Sequence, residues 1–199
     1  MANLRKEEKE AIRECLMTKG KELFAQYGLK KTSIDQIVLS CGIAKGSFYS
    51  YFNTKEELYY AIAKREEGFK DQLIEKMVEQ QNPPKDILEA LLLESFKQME
   101  TNPFFRRYAS RDEWELLMRK LPKELVEEHL HEDQEAGRRL FEAWKQEGAI
   151  QPLDSEVIVG LLRAVMLLSL HKEDIGKVYE PVRKLLVTYV IEGLTHSES

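Results

Sequence analysis

At 199 residues with 43% hydrophobic side chains, the chain is long enough to bury a core in one or two small domains. Its formal net charge of -5 argues against an unselective nucleic-acid binder, which would be broadly basic. The first sixty residues hold ten Lys and Arg against eight Asp and Glu, and the remainder twenty against twenty-seven, so a mildly positive head precedes an acidic body.

Met1 to Arg13 is charged throughout, and no secretory leader is expected there. Helical spacing dominates and β-branched alternation is almost absent, which predicts an all-α fold. Helices are expected over 6–27, 33–40, 44–51, 55–80, 84–100, 103–119, 122–147, 154–171 and 175–193. In the first, Ile12, Leu16, Leu23, Phe24 and Tyr27 form the inward stripe. Cys15 and Cys41 fall in helical segments and are read as packed thiols in preference to redox sensors.

Residues 33–58 read SIDQIVLSCGIAKGSFYSYFNTKEEL. Two capping boxes can open this stretch, Thr32 with Asp35 or Ser33 with Gln36. Ile34, Ile37 and Val38 give an inward stripe. Gly42 stands where the chain must turn, a place that favours left-handed backbone. Phe48 and Phe52, four apart, can share the inner face of a second short helix. Lys45, Ser47, Ser50 and Tyr51 then face outward or sideways, with Tyr49 at the edge. This is the pattern of a helix-turn-helix, whose second helix enters the major groove of DNA. Lys45 can reach a base edge or a phosphate, and Ser47 and Ser50 can meet either. Gly46 is costly inside a helix unless another backbone lies close. The competing reading is a short helical pair within an all-helical core.

The runs Ser33-Ile34-Asp35-Gln36-Ile37, Cys41-Gly42-Ile43-Ala44-Lys45-Gly46-Ser47-Phe48-Tyr49-Ser50-Tyr51-Phe52 and Lys55-Glu56-Glu57-Leu58 resemble the TetR family of bacterial transcriptional regulators. The resemblance covers about the first sixty residues. It implies an N-terminal three-helix helix-turn-helix domain over 1–53 and a ligand-binding and dimerisation domain over 54–199. It also implies that Ser47 faces bases and that Tyr49 and Lys55 meet phosphates. With Thr32, Ser33, Lys45, Gly46, Ser50 and Tyr51, these make the expected DNA face. Two departures stand out. Ala44 occupies a position where the family often has a capping Ser or Thr, and it cannot accept the N-terminal N–H. Val38 and Cys41 stand where alanine is usual.

From Thr54 onward the chain is rich in large apolar groups, and Asn82-Pro83-Pro84, Asn102-Pro103, Leu121-Pro122 and Gly148 to Asp154 mark breaks. Pro181 should kink the last helix or delay its start. Phe96, Met99, Phe105, Tyr108, Trp114, Phe141, Trp144 and Met166 are candidates to line an apolar ligand pocket, with core filling as the alternative. Arg163 lies among apolar neighbours and could meet an acidic ligand, pair with a protein carboxylate or edge into solvent. The apolar run from Val157 to Leu170 is too short to span a bilayer, and a cytoplasmic chain is expected. Val157, Leu161, Val182, Leu186, Tyr189 and Val190 are expected on a homodimer face, which would present two recognition helices to a palindromic site.

No phosphate loop, dinucleotide glycine pattern or nucleophile elbow is present. His129 and His131 are two apart and share no helix face, so no metal site, cofactor or enzymatic activity is expected. The expectation is a ligand-responsive regulator, most readily a repressor, partnered by double-stranded DNA, a second copy of itself and a mostly apolar effector. The alternatives are a protein-interaction adaptor that has lost DNA binding and, behind it, a small helical enzyme.

Overall fold

The computed structural model describes residues 2–195, with the side chains of residues 2–5 and 128–137 left aside; His129, His131 and His196 lie outside the described side chains. Among the described residues the chain is helical and has no strand. It divides into two compact units, residues 1–68 with 102–122 and residues 69–101 with 123–199.

The first unit begins with α1, Ala2–Lys31. It is followed by α2, Ile34–Ser40, and α3, Lys45–Phe48. Next come α4, Lys55–Glu67, α7, Pro103–Tyr108, and α8, Arg111–Lys120. Of the two possible caps for α2, Ser33 is used: its Oγ accepts the Gln36 N–H at 3.3 Å, and Gln36 Oε1 accepts the Ser33 N–H at 2.8 Å. Thr54 caps α4, accepting the Glu57 N–H at 3.0 Å. Asn102 caps α7, with Pro103 at its first position.

The core of this unit is aromatic. Tyr59 lies between Phe24 and Phe104, ring centroids 4.9 and 4.8 Å away, and Tyr108 continues the stack towards Trp114. Phe48 and Phe52 are both buried, 6.0 Å apart, and Arg13 covers the outer side of Phe52. Tyr27 departs from the expected stripe: α1 breaks one residue later, and the ring remains largely in solvent.

The second unit holds α5, Phe69–Glu79, α6, Pro84–Thr101, and α9, Lys123–Gln146. It continues with α10, Ser155–Leu167, α11, Lys172–Ile175, and α12, Tyr179–Thr195. Its core gathers Ile87, Leu88, Leu92 and Phe96 of α6, Phe141 and Trp144 of α9, Ile158 and Val165 of α10, and Val187, Ile191 and Leu194 of α12. Arg183 lies over the Phe96 ring, 5.1 Å from its centroid, and pairs with Glu180.

Three of the expected helices are divided or start late. The expected helix over 55–80 is two, α4 and α5, separated at Gly68, a residue that weakens a helix interior. The one over 103–119 divides at Ala109-Ser110. The last helix starts later than expected, at Tyr179, so Pro181 sits in its first turn, where no N–H is required.

Candidate DNA-binding site

The turn between α2 and α3 is built by Gly42, whose φ of +66° is the left-handed geometry that favours glycine. The Cys41 N–H closes α2 on Ile37 O at 3.1 Å, and the Ile43 N–H returns to Val38 O at 3.1 Å. Ala44 has extended backbone and offers no side-chain cap to α3, as its methyl dictates. The helix is short, but hydrogen-bonded turns carry it on to Phe52, where Tyr51 and Phe52 donate to Phe48 O. Burial of Phe48 and Phe52 orients the opposite side outward: Lys45, Gly46, Tyr49 and Ser50 are exposed, and Ser47 and Tyr51 half-exposed. A Cβ added at Gly46 would meet nothing within 4 Å, so no part of the chain's own packing requires glycine there. Lys45 reaches across to Asp35 of α2 at 3.0 Å, and that hydrogen bond and charge raise its pKa above the ordinary lysine value.

Two residues of the expected DNA face turn elsewhere. Thr32 is buried at 1% exposure; its hydroxyl donates to Gly28 O at 2.8 Å, closing the end of α1, so its side chain is withdrawn from the surface. The Lys55 ammonium donates to Leu29 O at 2.6 Å and Thr32 O at 2.7 Å, with Lys30 O at 3.4 Å. Free carbonyls at a helix end attract a cation, and this lysine meets them from the start of α4.

The same helix end is held from the other side by residues that the motif did not indicate. Gly28 breaks α1 with φ +78°, ψ 169°. Beyond the break, the Leu29 N–H donates to both carboxylate oxygens of Glu113, at 2.9 and 3.2 Å. A side chain at position 28 would collide with that carboxylate. Arg107 donates from Nε to Ala25 O at 2.7 Å and from Nη2 to Gln26 O at 3.0 Å. The only local hint in the sequence is Gly28 itself, a helix-ending residue in search of partners.

The expected pocket residues fall in both units. Phe105, Tyr108 and Trp114 belong to the first unit, while Phe96, Met99, Phe141, Trp144, Arg163 and Met166 belong to the second. Phe96, Phe141 and Trp144 are buried in the core of the second unit. Arg163 is exposed on α10. His171 is exposed and lies 3.1 Å from Asp174. On the expected dimer face, Val157, Leu161, Leu186 and Tyr189 are exposed on α10 and α12, while Val182 and Val190 are half-buried and Val190 packs against the core.

The site is therefore the outer surface of a helix-turn-helix whose short second helix carries small polar and aromatic side chains, a class of unit built to enter DNA. Residues 16–62 match the family described as bacterial regulatory proteins, tetR family. An uncharacterized HTH-type transcriptional regulator of Bacillus subtilis, YerO, is 35% identical over 68 residues, covering 33% of this chain and 24% of that protein. The chain thus matches about a quarter of that relative's length.

The whole fold is shared more widely. A TetR family protein from Vibrio parahaemolyticus superposes with a TM-score of 0.68 at 20% identity, covering 94% of this chain and all of the other. The fatty acid degradation regulator FadR from Bacillus halodurans does so at 0.69 and 20% identity, covering 93% and 97%. Residues 16–62 thus carry the helix-turn-helix of the bacterial tetR family, within an all-α fold shared with TetR-family structures.

Proposed function

We propose that the chain is a cytoplasmic, ligand-responsive repressor that binds a palindromic operator as a homodimer. The observation that carries the DNA-binding part is the uncovered outer side of α3. Gly46 has open space above it, and Lys45, Tyr49 and Ser50 are exposed around it. A phosphate backbone can approach closest where there is no side chain. In this reading Ser47 meets base edges and the Tyr49 hydroxyl meets phosphate, with Ser33, Lys45, Ser50 and Tyr51 at the margin. Lys55 acts differently from the phosphate contact that the resemblance implies: its charge holds the end of α1 in place.

The second copy would dock on α10 and α12, where Val157 is 56% and Tyr189 64% exposed. Residues 54–199 would house an apolar effector. A repressor released by its effector needs only that the effector prefer the conformation that does not fit the operator.

The test is selection of bound duplexes from a random pool, followed by a mobility shift on the selected sequence. A saturable complex containing two chains, or a multiple of two, supports the reading. Binding that is indifferent to sequence and vanishes at modest salt sinks it.

A further inference from the structure

The chain's two cysteines meet across the DNA-binding unit. Cys15 lies in the middle of α1 and Cys41 is the residue that ends α2, immediately before the left-handed Gly42. Their Cα atoms are 5.8 Å apart, within the separation a disulfide requires, and the two sulfurs are bonded. This replaces the expectation of two separately packed thiols: 26 residues apart in sequence, they are brought together by the packing of α1 against α2. Both residues are half-buried, so a small oxidant can reach them.

The geometry points to Cys15 and Cys41 as a reversible oxidation site, closed by a hydroperoxide, that ties the helix-turn-helix turn to α1 and raises operator affinity. The inference rests on the DNA-binding reading above and adds to it a chemical input. A DNA-bound protein works in a compartment where thiols are normally kept reduced, so the resting pair is a dithiol. One thiolate attacks the hydroperoxide, breaking its O–O bond; this yields a sulfenic acid and releases an alcohol, or water from hydrogen peroxide. The second thiol then attacks the sulfenic sulfur, forms the S–S bond and expels water. Overall two thiols lose two electrons and two protons, and the peroxide is reduced. A cellular dithiol reverses the bond by exchange.

The sign follows from what holds α3. Its first residue follows Ala44, which supplies no side-chain cap, and the turn backbone before it runs through Cys41 to Ile43. Bonding Cys41 to the middle of α1 fixes that turn four residues before the recognition helix begins. Less ordering then remains to be done on DNA. The bridged geometry is compatible with an intact unit, since the Ser33–Gln36 capping box and the Lys55 contacts coexist with it.

The test uses the full chain, reduced or treated with hydrogen peroxide, then quenched with a maleimide and weighed intact. The reduced protein should take up two maleimides. The oxidised monomer should take up none, melt at a higher temperature and return to the starting state with a dithiol. On the selected operator the oxidised form should bind about fivefold tighter than the reduced form, and Cys41→Ser should abolish the difference. Two free thiols after excess peroxide, a bond formed between chains, or an unchanged melting temperature would overturn the site. Equal operator affinities would overturn its regulatory role. If neither form bound any duplex, the DNA-binding reading would fail, while thiol counting and melting would still decide whether the oxidation site exists.

Discussion

Tyr59 shows how much of a residue's role depends on neighbours far along the chain. Its ring fills the centre of the first unit, and its hydroxyl is buried beside the Glu113 carboxylate without a well-formed hydrogen bond. Burial, and then the nearby negative charge, push the phenol far above its ordinary pKa of 10.0. The unfolded chain can ionise this tyrosine near its ordinary pKa, whereas the folded chain cannot. Stability linked to Tyr59 is therefore complete below about pH 10 and falls as pH rises beyond it. Tyr59→Phe should change stability by no more than about 1 kcal/mol at neutral pH, since no hydrogen bond is lost. It should also move alkaline unfolding to higher pH. Melting curves of both proteins between neutral and strongly alkaline pH decide this; an equal loss of stability in the two would place the alkaline transition elsewhere. The sequence marked α1 and the motif but gave no sign of Tyr59's surroundings, because Glu113 and Arg107 arrive from 84 and 82 residues away from their α1 partners.

Local chemistry made the elements near the motif legible. A capping serine, a turn glycine and two aromatics four apart depend on near neighbours only, and α2, the turn and α3 follow from them. What could not be read locally was competition for the same groups. Thr32 and Ser33 both qualified as caps, and Thr32 is instead withdrawn to Gly28 O. Lys55 qualified as a phosphate contact, and its ammonium meets the carbonyls at the end of α1. The expected continuous helix over 55–80 failed for a related reason: its apolar spacing continues through Gly68, but the helix does not. Lys55→Met keeps the length of the stem and removes the charge. It should cost about 2 kcal/mol of stability, the scale of hydrogen bonds to a charged group. Under conditions where the variant remains folded, its DNA binding should keep the wild-type salt dependence, since no phosphate contact has been removed. A shallower slope of log affinity against log salt with stability unchanged would return Lys55 to the DNA face.

For the molecule as a whole, α10 and α12 carry the argument. Apolar spacing identified both helices, and Ile158, Val165, Val187, Ile191 and Leu194 use one side of them to fill the core of the second unit. That left undecided whether the remaining apolar residues were also needed inside. They are not: Val157, Leu161, Leu185, Leu186 and Tyr189 remain exposed, more large apolar surface than two helices of a self-sufficient unit need to show. A self-complementary contact would cover both helices at once and hold two recognition units at a fixed spacing. Leu186→Glu together with Tyr189→Glu should therefore leave the core intact, since neither side chain is part of it, and produce a folded monomer by sedimentation. Each recognition unit should still be able to touch DNA. Affinity for the palindrome should fall by at least about a hundredfold, because the second half-site is no longer reached at high effective concentration. Affinity for a single half-site should barely change. A dimer that persists with both glutamates in place would move the interface off α10 and α12; a monomer that binds the palindrome as tightly as the wild type would show that linkage between half-sites contributes nothing to recognition.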